Sequence, residues 1–467
     1  MAKKEKLFLE NKSAWEKWND KERKAAFAFA EEYKQFLTEN KTEQESVESM
    51  VKILEAQGYK NIEKLKEAKN YPLKVYFNNR GACLAAFNLQ KDYLKTGLNL
   101  ILSHIDSPRI DVRQNSLREE FSLAFFKTVY YGGLKRYQWA NIPLALHGRI
   151  STRAGKTVKV NIGEDEKDPI FMICDLLPHI RSSQNDRTMK DVFKGEELDV
   201  VSGSIPSSAK DDKVKEKVKA KVLELLHEKY GIMEQDLFTA DLQFVPALKV
   251  RDMGFDKGLL AGYGHDDRIC AYTSLKALLD SPKCRKSFGL YFMDKEEVGS
   301  IGATGAQSRF VENCVVRLLA LTGSPKPSLD RVELMEKSSG LSADVGAAIT
   351  PTFPDAFDTK GDPKLGFGIV VNKFVGGGGK SGSHEAGSAF TGRITRLLDK
   401  EGIPWQIGGF GKVDLAGGGT VARFIAQYNM DIIDIGPGVV SMHSPYEVIS
   451  KADLYCCYLA YKAFINN

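Results

Sequence analysis

Residues 98–106 read LNLILSHID, and this stretch is the strongest indication of the fold. The run is apolar and compatible with a β-strand as far as Ser103, and its polar residues come only at the C-terminal end. Continuous apolar runs of this kind are typical of strands that are covered on both faces of a sheet. Four later runs read as buried strands in the same way: FGLYFMD (288–294), CVVRLLALT (314–322), GFGIVVNKFV (366–375) and MDIIDIG (430–436).

Helical patterns lie between and before these strands. The segments AFTGRITRLLDKEG (389–402) and GTVARFIAQYN (419–429) alternate with the apolar runs. Near the start, Thr42 and Glu45 have the spacing of a capping box, and apolar residues recur at helical spacing after them. Alternating strands and helices predict an α/β fold, with a sheet covered by helices on both faces.

The middle of the chain has a different character. Between residues 112 and 250 the apolar runs are short and β-like, as in SLAFFKTVYYGG and TVKVNIG, and polar stretches separate them. A chain of 467 residues is longer than most single domains. We therefore predict one α/β domain, formed by residues 1–111 and 251–467, that is interrupted by a partly β domain at residues 112–250.

Composition excludes several classes of protein. The chain has 43% hydrophobic and 27% charged residues, and 66 Lys and Arg against 61 Asp and Glu give a net charge of +5. Acidic residues interleave with most of the lysines, so we expect no nucleic-acid partner. No apolar run approaches the roughly 20 residues that a membrane helix needs, so we expect no membrane partner. Seven scattered cysteines without a Cys-x-x-Cys pair favour a reducing, cytoplasmic location.

The chemistry-bearing residues come at or just after strand-like runs. Ligands in open α/β sheets bind beyond the carboxyl ends of the strands, and several carboxylates meeting there need a cation. Zinc accepts imidazole nitrogen and carboxylate oxygen, and a two-metal site needs a shared carboxylate. The pattern therefore predicts a divalent metal centre. Five clusters supply it: His104-Ile-Asp106, His265-Asp266-Asp267, Asp294-Lys-Glu296-Glu297, Asp344 and His443.

The adjacent acids Glu296 and Glu297 follow the buried run FGLYFM directly. Neighbouring side chains at the end of a strand point in different directions. One of these carboxylates can therefore ligate a metal, while the other faces a bound water as general base.

Five motifs in order make the chain recognisable. Over nearly its whole length it resembles the aspartyl aminopeptidase and vacuolar aminopeptidase I family of co-catalytic zinc exopeptidases. This resemblance implies a mixed-sheet zinc-exopeptidase domain interrupted by an inserted, partly β dimerisation domain. The motifs are SHIDSPR (103–109), GHDDRICAY (264–272), DKEEVGS (294–300), SADVGAA (342–348) and DIGPGVVSMHSPYEV (434–448).

The resemblance also implies roles for individual residues. Two divalent ions are expected per chain, with zinc the first choice and manganese or cobalt as alternatives. Asp266 is the implied bridge between them, although many relatives read Asp-Asn where this chain has Asp266-Asp267. The implied ligands are His104 and Asp344 at one ion, Glu297 and His443 at the other, and Asp266 at both. Asp106 would orient His104, and Glu296 would be the general base.

Substrate and assembly are implied in the same way. Relatives remove acidic or neutral N-terminal residues from peptides with a free α-amine, and Lys373 lies where they contact substrate. They form homo-oligomers, in which dimers build tetrahedral dodecamers, and a His of the inserted domain reaches a neighbouring active site. That His corresponds to His147 in IPLALH, for which a packing role is the alternative.

Two other functions are compatible with parts of the sequence. A carboxypeptidase or deacylase could use the same metal site, and a non-enzymatic assembly protein would have lost a ligand or the base, all of which are present. The glycine-rich segment VGGGGKSGS (375–383) fails as a phosphate-binding loop, because Phe374 stands where the first glycine is required. Hydrolysis of an N-terminal peptide bond is the function the sequence favours.

Overall fold

The structure is a computed structural model that describes residue 7 and residues 12–68, 70–208, 215–282 and 284–467. Its contacts divide the chain into two compact units. The first comprises Met1–Asp106, Val250–Met442 and Glu447–Asn467, and the second comprises Ser107–Lys249 and His443–Tyr446. The second unit begins before residue 112, the predicted boundary, because the strand Arg109–Glu120 pairs within the sheet of that unit.

A mixed sheet forms the centre of the first unit. Leu98–His104 runs parallel to both of its neighbours, whereas Ser287–Met293 is antiparallel to its other neighbour, Cys83–Leu89. Its nine described strands follow the spatial order Lys60–Asn61, Leu73–Asn79, Cys83–Leu89, Ser287–Met293, Leu98–His104, Ser339–Ser342, Asp431–Gly436, Ile369–Asn372 and Trp405–Ile407.

A smaller sheet of the same unit supports the segment that carries Asp266. Leu259–Gly262 pairs antiparallel with Glu447–Ser450 on one side and with Arg251–Met253 on the other. The described strands follow the order Arg251–Met253, Leu259–Gly262, Glu447–Ser450, Gly438–Val440 and Gly346–Ala347.

Helices cover both faces of the nine-stranded sheet. Alternate residues of one strand point to opposite faces, so Leu100 and Leu102 pack into one apolar core and Ile101 into the other. The α-helices of the first unit are Ala14–Lys17, Asp20–Glu39, Glu43–Ala56, Tyr93–Thr96, His265–Leu279, Phe310–Leu321, Pro327–Glu336, Ser388–Lys400, Ala422–Ile425 and Lys451–Asn466. Its 3-10 turns are Ile62–Lys64, Glu296–Val298, Pro354–Ala356 and Ala426–Tyr428.

Local sequence patterns explain most of these elements, with one error. The predicted capping box is confirmed: the Thr42 hydroxyl accepts the Glu45 N–H, and the Glu45 carboxylate accepts the Thr42 N–H. The predicted strand CVVRLLALT is wrong, since residues 314–321 lie in the helix Phe310–Leu321. A short apolar run has no periodicity that separates a buried strand from a buried helix. Here Val311, Val315 and Leu318 face the core at helical spacing.

The second unit contains a seven-stranded antiparallel sheet. Phe126, Leu146 and Phe244 are buried on three different strands of this sheet. The described strands follow the order Thr157–Ile162, Leu144–Ser151, Ala240–Pro246, Arg109–Glu120, Leu123–Tyr131, Val200–Gly203 and Met172–Ile173. Its helices are Ser182–Asn185 and Lys217–Tyr230, with 3-10 turns at Arg136–Trp139, Pro178–Ile180, Gly195–Glu197 and Glu234–Thr239.

Among the residues that the structure describes, no helix combines the length and the apolarity needed to cross a bilayer.

Leu100→Ala is expected to destabilise the first unit by about 2–5 kcal/mol, because it leaves a cavity where a fully buried side chain was. The measurement is the change in the free energy of unfolding in denaturant. Leu329→Ala is the matched control, since Leu329 is 54% exposed and its truncation should cost no more than about 0.5 kcal/mol. Equal losses in the two variants would contradict the core assigned to Leu100.

Candidate active site

Three parallel strands of the nine-stranded sheet end together. Within the sheet, His104 pairs with Met293, and Leu102 pairs with Ser342. Because the carboxyl ends of parallel strands share one edge, the segments that follow these strands meet there. These segments carry Asp106, the pair Glu296-Glu297 and Asp344. The predicted residues of these three motifs therefore lie at one edge of the sheet.

The imidazole of His104 lies at the centre of this cluster and is only 2% exposed. Its Nε2 atom lies 3.1 Å from Asp266 Oδ1 and 3.6 Å from Asp344 Oδ1. Its Nδ1 atom lies 3.0 Å from the backbone oxygen of Asp106 and 3.4 Å from Asp106 Oδ1. The ring is therefore held on its Nδ1 side and directs Nε2 at two carboxylates, which is the arrangement of an oriented metal ligand.

Asp106 also holds the backbone of the two glutamates. Its carboxylate oxygens accept the N–H of Glu296 at 3.1 Å and the N–H of Glu297 at 3.2 Å. The preceding residue, Lys295, has φ +65°, which turns the chain sharply before the 3-10 turn Glu296–Val298. One buried carboxylate thus fixes the position of His104 relative to both glutamates.

A glycine hinge places Asp266 in the cluster. The strand Leu259–Gly262 ends just before Gly264, which has φ +79° and starts the helix His265–Leu279. A Cβ atom on Gly264 would overlap the buried guanidinium group of Arg268, so only glycine fits there. The N–H of Asp266 then donates to Glu447 Oε2 at 3.1 Å.

The two neighbouring acids Asp266 and Asp267 have different partners. Asp266 faces Nε2 of His104, whereas Asp267 Oδ2 accepts the backbone N–H of His104 at 3.2 Å. Asp267 is fully buried. The geometry therefore favours Asp266 as the residue that could ligate a metal.

Several ligand atoms lie close enough to share a cation. His104, Asp266 and Asp344 offer atoms within 4.8 Å of one another, and so do His104, Glu296 and Glu297. Asp266 and Glu297 are also within this distance of each other. One imidazole nitrogen among carboxylate oxygens is a donor set that suits zinc.

The electrostatics of the cluster also fit a bound cation. Burial raises the pKa of Glu296 to about 8; the imidazole of His104 opposes this shift, and the charge of Asp344 adds to it. Burial raises the pKa of Asp344 as well, against the effect of His104. Carboxylates at short range in a desolvated site repel one another unless a positive charge lies between them. The residues present therefore fit the metal centre that the sequence predicts.

Two predicted residues belong to the second unit. His443 belongs to the second unit, where its Nδ1 atom lies 2.7 Å from the backbone oxygen of Gly133. His147 is buried in the strand Leu144–Ser151, and its Nε2 atom lies 3.0 Å from Glu164 Oε1. Their roles as metal ligand and substrate contact stay predictions.

Lys373 directly follows the strand Ile369–Asn372 of the first unit. Its Nζ atom lies 3.2 Å from Glu385 Oε1, and Nζ of Lys380 lies 2.8 Å from the other oxygen of the same carboxylate. Lys373 is therefore paired within the chain, and its contact with substrate stays a prediction.

Sequence reasoning missed two buried acids. Besides Glu447, which accepts the N–H of Asp266, Asp434 lies in the strand Asp431–Gly436 opposite Ser342. Burial raises the pKa of Asp434 to about 6, and the hydroxyl of Thr420 donates to its Oδ1 atom at 2.7 Å. A single acid inside the apolar run IIDIG was the signal that could have found it.

Comparison with known proteins identifies the family. The chain matches the family described as Aminopeptidase I zinc metalloprotease (M18) over residues 36–465. The chain belongs to the M18 aminopeptidases. Relatives confirm this: it is 45% identical over 465 residues to the probable M18 family aminopeptidase 1 of Clostridium acetobutylicum, with 99% of each chain covered. The corresponding protein of Thermotoga maritima is 42% identical over 449 residues, covering 96% of this chain and 98% of the relative.

Solved structures confirm the fold. The crystal structure of an M18 aminopeptidase from Thermotoga maritima has a TM-score of 0.94 at 41% identity, and the match covers 98% of this chain and all of that one. A Saccharomyces cerevisiae mApe1 dodecamer has a TM-score of 0.73 at 21% identity, which shows the shared fold. The predictions of an α/β fold and of a zinc metallo-aminopeptidase are therefore confirmed for this M18 member.

Proposed function

We propose that this M18 aminopeptidase hydrolyses the N-terminal peptide bond at a two-metal centre, with Glu296 as general base. The observation that carries the proposal is the convergence of the Asp266 and Asp344 carboxylates on Nε2 of His104, at 3.1 and 3.6 Å. The proposed ligands are His104 and Asp344 at one ion, Glu297 and His443 at the other, and Asp266 as the bridge.

Each side chain has a separate task in this mechanism. Two zinc ions, when bound, polarise the scissile carbonyl and make the attacking water more acidic. The Glu296 carboxylate accepts the proton of that water and passes it to the leaving amine. Asp106 keeps Glu296 in reach by accepting its backbone N–H.

The substrate is a peptide with a free N-terminus and an acidic or neutral first residue. A cation facing the first side chain would favour an acidic residue, and Lys373 is the residue that the resemblance suggests for it. Its pairing with Glu385 reduces the net positive charge at this position, so a neutral first side chain is also compatible with it. We propose manganese and cobalt as alternatives to zinc in the same site.

The proposed assembly is a homo-oligomer located in the cytoplasm. Its dimers would form through the inserted domain at residues 112–250 and would build a dodecamer, in which His147 reaches a neighbouring active site. The fold shared with the yeast mApe1 dodecamer supports this assembly.

The experiment that tests the function is the initial rate on matched p-nitroanilides of Asp, Glu, Leu and Lys, with N-acetyl-Leu as the blocked control. Cleavage that requires the free α-amine, is lost with a chelator and returns with zinc, manganese or cobalt supports the proposal. Cleavage of the N-acetylated substrate alone would favour the alternative, a deacylase on the same dizinc site. The ratio of the Asp and Leu rates decides the first-residue preference.

His443→Ala is expected to lower the metal content from two ions towards one per chain, because it removes a proposed ligand of the second ion only. Elemental analysis of the dialysed protein measures this. His179→Ala is the control, since His179 lies in a 3-10 turn of the second unit and is exposed. Two tightly held ions in the His443 variant would refute the assignment.

A further inference from the structure

The turn Gly417–Thr420 packs against a second loop through bare backbone. Gly417 has φ +152°, and a Cβ atom there would lie 2.1 Å from the carbonyl oxygen of Gly376 and 2.4 Å from Cα of Gly377. No side chain fits this contact, so the turn and the loop 374–383 are in direct backbone contact. A shift of the turn therefore has to shift the loop.

The hydroxyl of Thr420 anchors the turn to the sheet. It accepts the N–H of Ala422 at 3.3 Å and donates its proton to Asp434 Oδ1 at 2.7 Å. An ionised carboxylate can only accept, so the single proton of the hydroxyl goes to Asp434, while an oxygen lone pair accepts the backbone N–H. After Thr420, the buried side chains of Val421 and Ala422 enter the apolar core.

Asp434 lies on the strand next to the one that Asp344 follows. Its cross-strand partners are Ser342, two residues before Asp344, and Asn372, directly before Lys373. Neighbouring strands are about 4.8 Å apart, so Asp434 is close to both segments. Asp434 is 2% exposed.

The loop 374–383 is tied to the same strand at both ends. It leaves the sheet after Asn372, which pairs with Asp434, and it returns at His384, whose Nε2–H donates to the backbone oxygen of Ile432 at 2.9 Å. Within the loop, the N–H of Val375 donates to the Ser383 hydroxyl at 3.1 Å. The contact with the glycine turn and the ion pair between Lys380 and Glu385 both hold the middle of the loop.

We propose that Asp434 is a positioning residue of this aminopeptidase: through Thr420 it fixes the turn Gly417–Thr420, and through the turn it holds the loop 374–383, which begins directly after Lys373. The inference rests on the proposed function, because it assigns this loop to the substrate entrance. Asp434 does not touch the reacting atoms. It acts by keeping the entrance in one conformation, so that a peptide binds without ordering the loop.

The test compares Thr420→Val, which removes the hydroxyl at nearly constant volume, with Thr420→Ser, which keeps it. Hydrogen bonds to charged groups correspond to roughly tenfold or more in an equilibrium. Thr420→Val should therefore lower kcat/KM on the best p-nitroanilide about tenfold, mainly through KM. Amide hydrogen exchange in residues 374–383 should become faster, whereas metal content stays at the wild-type value. Thr420→Ser should restore both readouts.

Asp434→Ala completes a double-mutant cycle with Thr420→Val. If Asp434 acts through Thr420, kcat/KM of the double variant should be no more than about threefold below kcat/KM of the more impaired single variant. Independent, multiplying effects would overturn the proposal, as would wild-type kinetics and exchange in Thr420→Val, or a Thr420→Ser variant as impaired as Thr420→Val. If Asp434→Ala does not fold, the Thr420 pair alone decides. An inactive wild-type enzyme would refute the proposed function, while the exchange measurement would still test the anchor.

Discussion

Glu296→Gln is expected to lower kcat by about 10²–10⁴-fold while the metal content stays at the wild-type value. The amide has nearly the shape of the carboxylate but cannot accept the proton of the attacking water. The backbone N–H of Glu296 still donates to Asp106, so the turn keeps its position. Loss of turnover without loss of metal separates a base from a ligand.

Steady-state kinetics and elemental analysis on the same preparation measure the effect of Glu296→Gln. Glu401→Gln is the matched control, because Glu401 is an exposed residue at the end of a helix and should leave kcat unchanged. A Glu296→Gln variant that retains more than about a tenth of the wild-type kcat would remove Glu296 from the base role.

Asp266→Asn is expected to abolish metal binding. It should lower kcat/KM by about a thousandfold or more. Asp266 is the proposed shared ligand, so its neutralisation weakens the binding of both ions at once. Metal ions stabilise the transition state by several kcal/mol, and each 1.4 kcal/mol or so corresponds to a roughly tenfold change in rate. Asp267→Asn is the matched neighbour. Asp267 accepts a backbone N–H of His104, and the amide oxygen of Asn can do the same.

The measurement is metal content by elemental analysis, together with kcat/KM at saturating zinc. Asp266→Asn should retain little metal, and Asp267→Asn should stay near two ions per chain with activity within about tenfold of wild type. The reverse order, with metal lost only in Asp267→Asn, would exchange the roles of the two acids. Equal retention of metal in both variants would remove Asp266 as the bridge.

The sequence predicted the strand-end motifs well, because each depends on local chemistry. The run LNLILS predicts a buried strand, and the strand Leu98–His104 places His104 at its carboxyl end. The capping box at Thr42 was predictable for the same reason, since its hydrogen bonds join residues three apart. CVVRLLALT was misread because apolarity alone does not distinguish a strand from a helix at that length.

Other features depend on contacts between distant segments and could not be predicted. The anchor between Thr420 and Asp434 joins a turn to a strand, and the contact of Gly417 with Gly376 joins two loops 41 residues apart in sequence. Neither contact leaves a periodic pattern in the sequence. The ion pair of Lys373 belongs to the same class, since Glu385 meets Lys373 only after the loop has folded back.

The amino-acid sequence alone predicted the residues proposed for the site of this aminopeptidase. His104, Glu296, Glu297 and Asp344 follow apolar strands whose direction is encoded locally, and the residue types already indicate a metal. Tertiary contacts set which acid of the pair Asp266-Asp267 faces which partner. Asp266 turns to Nε2 of His104 and Asp267 to the backbone N–H of His104 because the hinge at Gly264 and the carboxylate of Glu447 set the path of the chain there. That choice depends on atoms brought together from three separate parts of the chain, and no local pattern records it.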